Sequence, residues 1–265
     1  MQPLETFPAA ELRRIKGVFA DIDDTITSDG HLTADAYRAL EQLQDAGLQV
    51  FPITGRPAGW CDHIARMWPV DGVVGENGAF YFRYDHGEKR FTKRYVLDDA
   101  ERAASRETYA ALAEEILEAV PGSAVASDQL YREADLAIDF CEDVAPLDDA
   151  AIDKIVTMME ARGMTAKTSS IHVNGWFGDY DKLSMTKRMM RDVHGIDLEA
   201  EKESFVFVGD SPNDQPMFEF FPNAVGVANL KNLENRLTAK PAYLTASPAG
   251  AGFAEVATAL LAARG

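Results

Sequence analysis

Short apolar runs alternate with amphipathic stretches along the first third of the chain. Residues 18–20 and 48–53 are apolar runs that predict buried strands. Between them, residues 33–46 carry apolar positions at helical spacing, begin at a threonine that can cap a helix, and are followed by a glycine. A second helix is predicted from Pro57 toward Met67, since proline suits a first helical turn. This alternation predicts a parallel sheet flanked by helices.

The middle of the chain has a different pattern. Residues 79–84 and 89–96 predict two strands around a turn. Longer amphipathic stretches predict helices at 98–120 and 147–162. Further short strands are expected near 124, at 136–140, near 165 and at 171–174. Helices mixed with short strands indicate an α+β unit that differs from the flanking segments.

The strand–helix alternation then resumes. Elements are predicted at 184–194, 205–208, 224–227 and 252–263. We therefore predict an α/β fold, with a doubly wound, Rossmann-like parallel-sheet core interrupted by an inserted α+β cap domain. The core would comprise residues 1–83 and 179–265, and the inserted domain residues 84–178.

Composition narrows the range of functions. The 265 residues are 46% hydrophobic and 26% charged, which is typical of a soluble globular enzyme. The formal net charge of −17 disfavours nucleic acid and anionic membranes as partners. An anionic substrate would then need local cations, from a metal ion or from a few basic residues. Oligomeric state does not follow from the sequence.

The cysteines and the N-terminus bear on the compartment. Cys61 and Cys141 are far apart and outside any CxxC pattern, so neither a disulfide framework nor a thiolate metal site is expected. Residues 1–16 contain no apolar run typical of a signal peptide. No stretch approaches the roughly 18 apolar residues that span a bilayer. We expect a cytoplasmic protein.

Two acids, Asp21 and Asp23, stand directly after the first predicted strand of the core. Open α/β sheets bind ligands at the carboxyl ends of their strands. One carboxylate of such a pair can attack a reacting group, while the other exchanges protons with the leaving group and with water. Acid-rich loops also serve as turns and helix caps, so the pair alone leaves both interpretations open.

Small donors and basic groups recur near other element ends. Thr54 and the backbone N–H of Gly55 follow the second strand and can form a phosphate cradle, although a capped turn explains the same residues. Arg56 either contacts substrate or lies on the surface. Lys182 precedes a helix, where its ammonium can neutralise a phosphoryl group; a lone lysine is otherwise a solvated residue.

A fourth segment follows the strand predicted at 205–208. Asp210 and Asp214 offer the hard oxygen ligands that Mg²⁺ prefers, and Asn213 can hydrogen-bond a ligand oxygen. A turn that caps the next helix is the alternative. Because the strand ends of a parallel sheet share one edge, the four segments can converge on one crevice. A carboxylate nucleophile, a metal and an ammonium together suit phosphoryl transfer.

In this order, the four segments resemble the motifs of the haloacid dehalogenase superfamily of phosphohydrolases. The matching residues are Asp21-Ile22-Asp23-Asp24-Thr25, Thr54-Gly55-Arg56, Lys182 and Gly209-Asp210-Ser211-Pro212-Asn213-Asp214. The insert resembles the α/β cap of the Cof-type, sugar-phosphate phosphatase subgroup, which includes sucrose-phosphate and mannosyl-3-phosphoglycerate phosphatases. Glu76-Asn77-Gly78-Ala79 is also similar to that subgroup. Leu183-Ser184 follows Lys182 where many relatives have glycine.

The resemblance implies a Mg²⁺-dependent phosphatase acting on small phosphomonoesters, sugar phosphates among them. It implies that Asp21 attacks phosphorus, and that Asp23 is general acid and then base and reaches the metal through its backbone carbonyl. The implied phosphate contacts are Thr54, Gly55, Lys182 and Asn213, and the implied Mg²⁺ ligands are Asp21, Asp23, Asp210 and Asp214. Whether Asp214 touches the metal directly or through a neighbour stays open.

Residues of the predicted cap would choose the leaving group. His172, Asn174 and Trp176 lie near the predicted cap–core junction, where they either contact a sugar or form a packed strand face. Arg132 is a candidate for binding a second anionic group. The methionine-rich stretch from Met185 to Met190 is more typical of core packing than of a binding surface.

Three other functions are compatible with parts of the pattern. A phosphomutase on the same core would need a second phosphate site, usually several arginines, and the predicted cap shows no obvious cluster of them in sequence. A signalling receiver domain also uses acids, a threonine and a lysine, but it is about half this length and carries its acceptor on a middle strand. A binding protein on a retired scaffold would not need every catalytic group to be present.

Overall fold

A six-stranded parallel sheet lies at the centre of the chain. A computed structural model describes residues 1–265. The strands are β1 (Gln2–Pro3), β2 (Gly17–Ala20), β3 (Gln49–Pro52), β4 (Val73–Gly75), β5 (Phe80–Asp85), β6 (Arg90–Tyr95), β7 (Ala124–Val125), β8 (Asp135–Asp139), β9 (Thr165–Thr168), β10 (His172–Trp176), β11 (Phe205–Gly209), β12 (Val225–Gly226) and β13 (Tyr243–Leu244).

Nine α-helices accompany these strands. They are α1 (Ala9–Leu12), α2 (Ala34–Asp45), α3 (Ala58–Met67), α4 (Asp99–Ala119), α5 (Asp149–Ala161), α6 (Lys182–Met189), α7 (Leu198–Glu201), α8 (Gln215–Phe220) and α9 (Ala249–Ala262). A π-helical turn, Met190–His194, continues α6. Shorter 3₁₀ segments are Leu4–Thr6, Glu76–Gly78, Gln129–Tyr131, Lys202–Ser204, Pro212–Asp214 and Ala228–Arg236.

The central sheet has the strand order β1-β13-β12-β11-β2-β3, and every pair in it is parallel. Strands β2 and β11 are buried along their whole length, which explains their continuous apolar sequence. Because the strands are parallel, the segments that follow β2, β3 and β11 all leave from one edge. The predicted α/β fold with a Rossmann-like parallel core is confirmed.

Side chains of the central strands alternate between two apolar clusters, one on each face. Phe19 and Phe51 stack at 5.2 Å on one face, in the cluster that also contains Met185. Val18 and Val50 point into the cluster on the opposite face. The period-2 geometry of a strand produces this division. Met185 to Met190 contributes to the core, as predicted.

A four-stranded antiparallel sheet, β7-β8-β10-β9, forms the centre of the inserted segment. Helices α4 and α5 bury one side of it in a separate apolar cluster that includes Ile116, Ile138 and Ile155. A three-stranded sheet, β4-β5-β6, adjoins the core, because Ile53 forms a parallel bridge with Val74. The predicted boundary at residue 84 falls within β5, so the division into core and inserted domain stays a prediction.

The predicted element pattern agrees with the structure over most of the chain. The predicted hairpin and the four short inserted strands are present, and the long inserted helices end within two residues of prediction. Three strands were not predicted: β1, β4 and β13. They contain two or three residues each, too few to show a periodicity. Helix α6 begins at Lys182, two residues before the predicted start.

Two further observations concern the cysteines and the helices. Cys61 and Cys141 are free thiols in the structure. No helix combines the length and the apolar character that crossing a bilayer requires.

Candidate active site

Three strand ends and one helix start bring the predicted residues to one edge of the central sheet. Asp21 follows β2, and its N–H donates to the carbonyl of Val208 at 2.9 Å, which continues the ladder to β11. Thr54 follows β3, and Asp210 follows β11. Lys182 is the first residue of α6, whose N-cap Asp181 accepts from the N–H of Ser184.

Lys182 joins two of the predicted carboxylates. Its Nζ lies 2.6 Å from Asp21 Oδ1 and 2.7 Å from Asp214 Oδ1. All three side chains are buried, with exposures of 1%, 6% and 0% for Lys182, Asp21 and Asp214. Burial disfavours the ammonium, but attraction to Asp21 and Asp214 outweighs it and raises the pKa of Lys182. Lys182 is therefore charged, whereas nearby Lys187 pairs with Glu199 at the surface.

Asp21, Asp210 and Asp214 form a compact carboxylate cluster, each offering an oxygen within 4.8 Å of the others. Burial raises the pKa of Asp21 to about 8, opposed by Lys182 and reinforced by Asp214. Burial and repulsion from Asp21 and Asp214 also raise the pKa of Asp210 well above its usual range. Three buried carboxylates therefore have a single ammonium to balance them, and a bound cation would favour their ionised forms. This donor set fits a small divalent cation such as Mg²⁺.

The two later carboxylates are held in different ways. Asp210 accepts hydrogen bonds from Thr25 Oγ1 and Asn229 Nδ2, each at 3.2 Å. Asp214 Oδ2 accepts from the N–H groups of Asp210 and Ser211, while its Oδ1 accepts from Lys182. Both oxygens of Asp214 therefore have protein donors, which favours a role in fixing its neighbours.

The predicted phosphate contacts lie beside a strained turn at Glu76–Gly78. Asn213 Nδ2 donates to Asn77 Oδ1 at 3.2 Å, and a methyl group on Gly55 would lie 3.1 Å from Asn77 Nδ2. That Nδ2 is buried and has no hydrogen-bond partner. Glu76, Asn77 and Gly78 all have positive φ, of 43°, 54° and 109°. Strain of this kind is typical of functional sites.

Thr54 is fixed by its own turn. It is fully buried, and its Oγ1 accepts from the N–H of Arg56 at 3.0 Å. Its N–H donates to Val74 and its carbonyl accepts from Asn77. The threonine and the strained turn therefore hold each other in place.

Asp23 lies outside the carboxylate cluster and pairs with Arg56. Arg56 Nε lies 2.9 Å from Asp23 Oδ1 and 3.0 Å from Oδ2. The same guanidinium contacts Glu142 at 2.6 Å and Asp128 at 3.3 Å, both in the inserted segment. The sequence left the role of Arg56 open; in the structure it links Asp23 to the insert.

Of the three candidate residues near the end of the insert, one faces the Arg56 group and two are packed within the insert. His172 Nε2 lies 2.9 Å from Glu142 Oε2, so it faces the Arg56 group. Asn174 donates to Asp135 at 2.9 Å in a buried pair, and Trp176 is buried and stacks on Tyr180. The last two residues therefore belong to the packed strand face.

Sequence reasoning did not single out four side chains of the site. They are Thr25, Asn77, Glu142 and Asn229. Thr25 and Asn77 lie within the longer motifs that resemble the family, but the sequence assigns neither of them a role. Glu142 lies in a loop and Asn229 in the 3₁₀ segment Ala228–Arg236, and neither has a distinctive spacing in the sequence, so only their three-dimensional contacts identify them.

Comparisons with known proteins bear on the family and the fold. Residues 18–118 match the family model described as haloacid dehalogenase-like hydrolase. Among curated proteins, none is a match. The match and the fold together confirm the resemblance to the haloacid dehalogenase-like hydrolases.

Several solved structures share the fold along almost the whole chain. A Thermoplasma acidophilum protein has 17% identity and a TM-score of 0.69, covering 93% of this chain and 98% of its own. The C-terminal domain of C. albicans trehalose-6-phosphate phosphatase has 15% identity and a TM-score of 0.70, covering 99% of both chains. Synechocystis sucrose-phosphatase, solved with sucrose and phosphate, has 16% identity and a TM-score of 0.60, covering 94% and 98%.

Proposed function

We propose that this haloacid dehalogenase-like chain is a Mg²⁺-dependent phosphatase that hydrolyses small phosphomonoesters, sugar phosphates among them, through an aspartyl phosphate on Asp21. The contact of buried Lys182 with Asp21, inside a cluster of three carboxylates, carries the proposal. The fold shared with a sucrose-phosphatase and a trehalose-6-phosphate phosphatase supports the substrate class.

Asp21 is the nucleophile of the proposed first step. Lys182 aligns its carboxylate at 2.6 Å and favours the ionised form against the effect of burial, and a bound Mg²⁺ would favour that form further. An Asp21 oxygen bonds to phosphorus as the bond from phosphorus to the leaving oxygen breaks. In the second step a water oxygen attacks the same phosphorus, and the Asp21 carboxylate leaves, which releases inorganic phosphate.

Asp23 is the proposed proton carrier. It gives a proton to the oxygen of the departing alcohol, then takes one from the attacking water. Arg56 Nε contacts both carboxylate oxygens of Asp23. For the first step Asp23 must hold a proton, so the substrate has to loosen this contact.

The remaining site residues hold the phosphoryl group and the metal. Thr54, the Gly55 N–H, Lys182 and Asn213 are the proposed phosphate contacts. Asp21, the Asp23 carbonyl and Asp210 would hold Mg²⁺, with Asp214 fixing Lys182 and the Asp210 segment. When bound, Mg²⁺ neutralises the phosphoryl oxygens and the carboxylate cluster.

The test is phosphate release from p-nitrophenyl phosphate and from a panel of sugar phosphates, with Mg²⁺ or with excess EDTA. We expect activity only with the metal, and its loss in Asp21→Asn. Asp179→Asn is the matched control, because Asp179 is exposed and makes no side-chain contact. Full activity in Asp21→Asn or in EDTA would contradict the mechanism.

The phosphomutase alternative has little support in the insert. Arg83, Arg90 and Arg94 do come together, but they line a cavity with Arg188 and Asp192 that contains none of the proposed catalytic residues. Arg132, the candidate for a second anion, is buried among Asp128 and Asp135. Formation of an isomeric sugar phosphate in place of inorganic phosphate would restore that alternative.

A further inference from the structure

The groups around the proposed proton carrier are mainly acidic. Asp23 and Asp24 lie on the core side, and Asp128 and Glu142 contact Arg56 from the insert. Any leaving alcohol protonated by Asp23 has to occupy these surroundings.

Arg56 is not free to bind an anion. Its Nε donates to both oxygens of Asp23, its NH1 group to Asp128 and Glu142, and its NH2 group to Glu142 at 2.6 Å. A guanidinium has five N–H donors in a fixed fork, and these contacts use all three of its nitrogens. Arg56, the cation that contacts Asp23, is thus neutralised by three carboxylates, those of Asp23, Asp128 and Glu142.

Arg132, the next guanidinium, is committed in the same way. Its Nε donates to Asp128 Oδ1 at 3.0 Å, and its NH1 group donates to both oxygens of Asp135 and to the carbonyl of Gly55. Its side chain is 1% exposed. Arg56 and Arg132 together are thus committed to four carboxylates, those of Asp23, Asp128, Asp135 and Glu142.

Glu142 is a built part of this environment. Asp139, at the end of β8, accepts the N–H groups of Cys141, Glu142 and Asp143 at 2.8 to 2.9 Å and thereby fixes the loop. Burial opposes ionisation of Glu142, but its close contacts with His172 and Arg56 outweigh burial and lower its pKa to about 2. Glu142 is thus an anion, with about a quarter of its side chain exposed.

We propose that the site selects phosphate esters whose leaving alcohol is uncharged or cationic, and that it rejects those carrying a second anionic group, with Glu142 as a specificity-determining residue. A second phosphate or a carboxylate would meet Glu142 and Asp128, while Arg56 and Arg132, the two guanidinium groups beside them, are already paired with carboxylates. Close contacts between like charges are costly. Hydroxyl groups, in contrast, can donate to Glu142, which is about a quarter exposed. This inference rests on the proposed phosphatase function.

Three probes of one carbon skeleton test the inference: glucose 6-phosphate, glucosamine 6-phosphate and 6-phosphogluconate. They carry a neutral, a cationic and an anionic leaving alcohol. Each is measured as a substrate and as a competitive inhibitor of p-nitrophenyl phosphate hydrolysis, so that a probe that is not hydrolysed is still informative. We expect the neutral and cationic probes to be favoured over the anionic probe by at least about tenfold in kcat/KM or in Ki.

Glu142→Gln keeps the shape of the side chain and removes its charge. We expect the preference against 6-phosphogluconate to fall by about tenfold, the effect of one charge at close range in a partly buried site. Glu160→Gln is the matched control, because Glu160 is an exposed residue of α5 in the same insert, and its preference should equal that of the wild type. Asp128→Asn, which removes a second charge, should act in the same direction; circular dichroism confirms that each variant is folded.

The outcomes separate the two proposals. Hydrolysis of p-nitrophenyl phosphate with equal or better recognition of 6-phosphogluconate overturns the charge selection alone. An unchanged preference in both folded variants overturns the role of these carboxylates. No hydrolysis of any probe overturns the phosphatase function, and the charge selection with it.

Discussion

Replacement of Lys182 by methionine tests the electrostatics of the site without any substrate. Methionine retains most of the length of the side chain and its packing but removes the only cation that contacts Asp21 and Asp214. Three carboxylates would then stay buried within 4.8 Å of each other with no counter-charge. The chain must either keep that repulsion or bind protons, and each route costs free energy.

The magnitude follows from the burial of the pair. Removing one partner of a buried ion pair typically costs about 3–5 kcal/mol. That is a large part of the roughly 5–15 kcal/mol by which a domain is stable. Lys182 is 1% exposed and contacts two carboxylates. We therefore expect Lys182→Met to lower the unfolding free energy by about 5 kcal/mol, the upper end of the range for a buried ion pair, at neutral pH in EDTA.

Urea unfolding followed by circular dichroism measures this loss. A second variant, Lys182→Met with Asp214→Asn, also removes one of the three uncompensated carboxylates. Its unfolding free energy should be about 1–2 kcal/mol higher than that of Lys182→Met alone. A single variant within 1 kcal/mol of the wild type, or a double variant no more stable than the single one, would refute the reasoning.

Three other predictions concern the turn and the metal. Burial raises the pKa of Glu76 to about 8 from its usual 4.5. The contribution of Glu76 to stability is therefore complete below about pH 4.5 and is lost as the pH rises through 8. Glu76→Gln should make the unfolding free energy fall less steeply between these two pH values. Gly78 has φ 109°, and a methyl group there would overlap the Asp181 carbonyl, so Gly78→Ala should lower Tm and kcat together. Gly163 also has positive φ but has open space around it, so Gly163→Ala should lower Tm only. Mg²⁺ at about a hundred times its Kd should raise the unfolding free energy of the wild type by about 2.7 kcal/mol, and Asp210→Asn should abolish most of this gain in a thermal-shift titration.

The main elements of the fold follow from local sequence. Buried parallel strands such as β2 and β11 are continuous apolar runs, and α2 has both its threonine cap and its terminal glycine in the sequence. Strands β1, β4 and β13 owe their conformation to their neighbours in the sheets, so their own residues carry too little signal.

The residues of the site also differ in how far the sequence could predict them. Residues at strand ends, such as Asp21 and Asp210, were predictable because a parallel sheet brings its strand ends to one edge. The contact of Arg56 with Glu142 was not predictable, because it depends on how the insert lies over the core. The role of Asn77 depends on a strained backbone that is not evident from the residue type.

Chemical trapping of the intermediate tests the central claim most directly. The protein is mixed with Mg²⁺ and p-nitrophenyl phosphate, quenched in acid during turnover, reduced with borohydride and analysed by peptide mass spectrometry. Reduction converts an aspartyl phosphate to homoserine, so we predict homoserine at position 21 in the wild type and none in Asp21→Asn. Active protein with no homoserine at position 21, or with homoserine at another aspartate, would contradict Asp21 as the nucleophile.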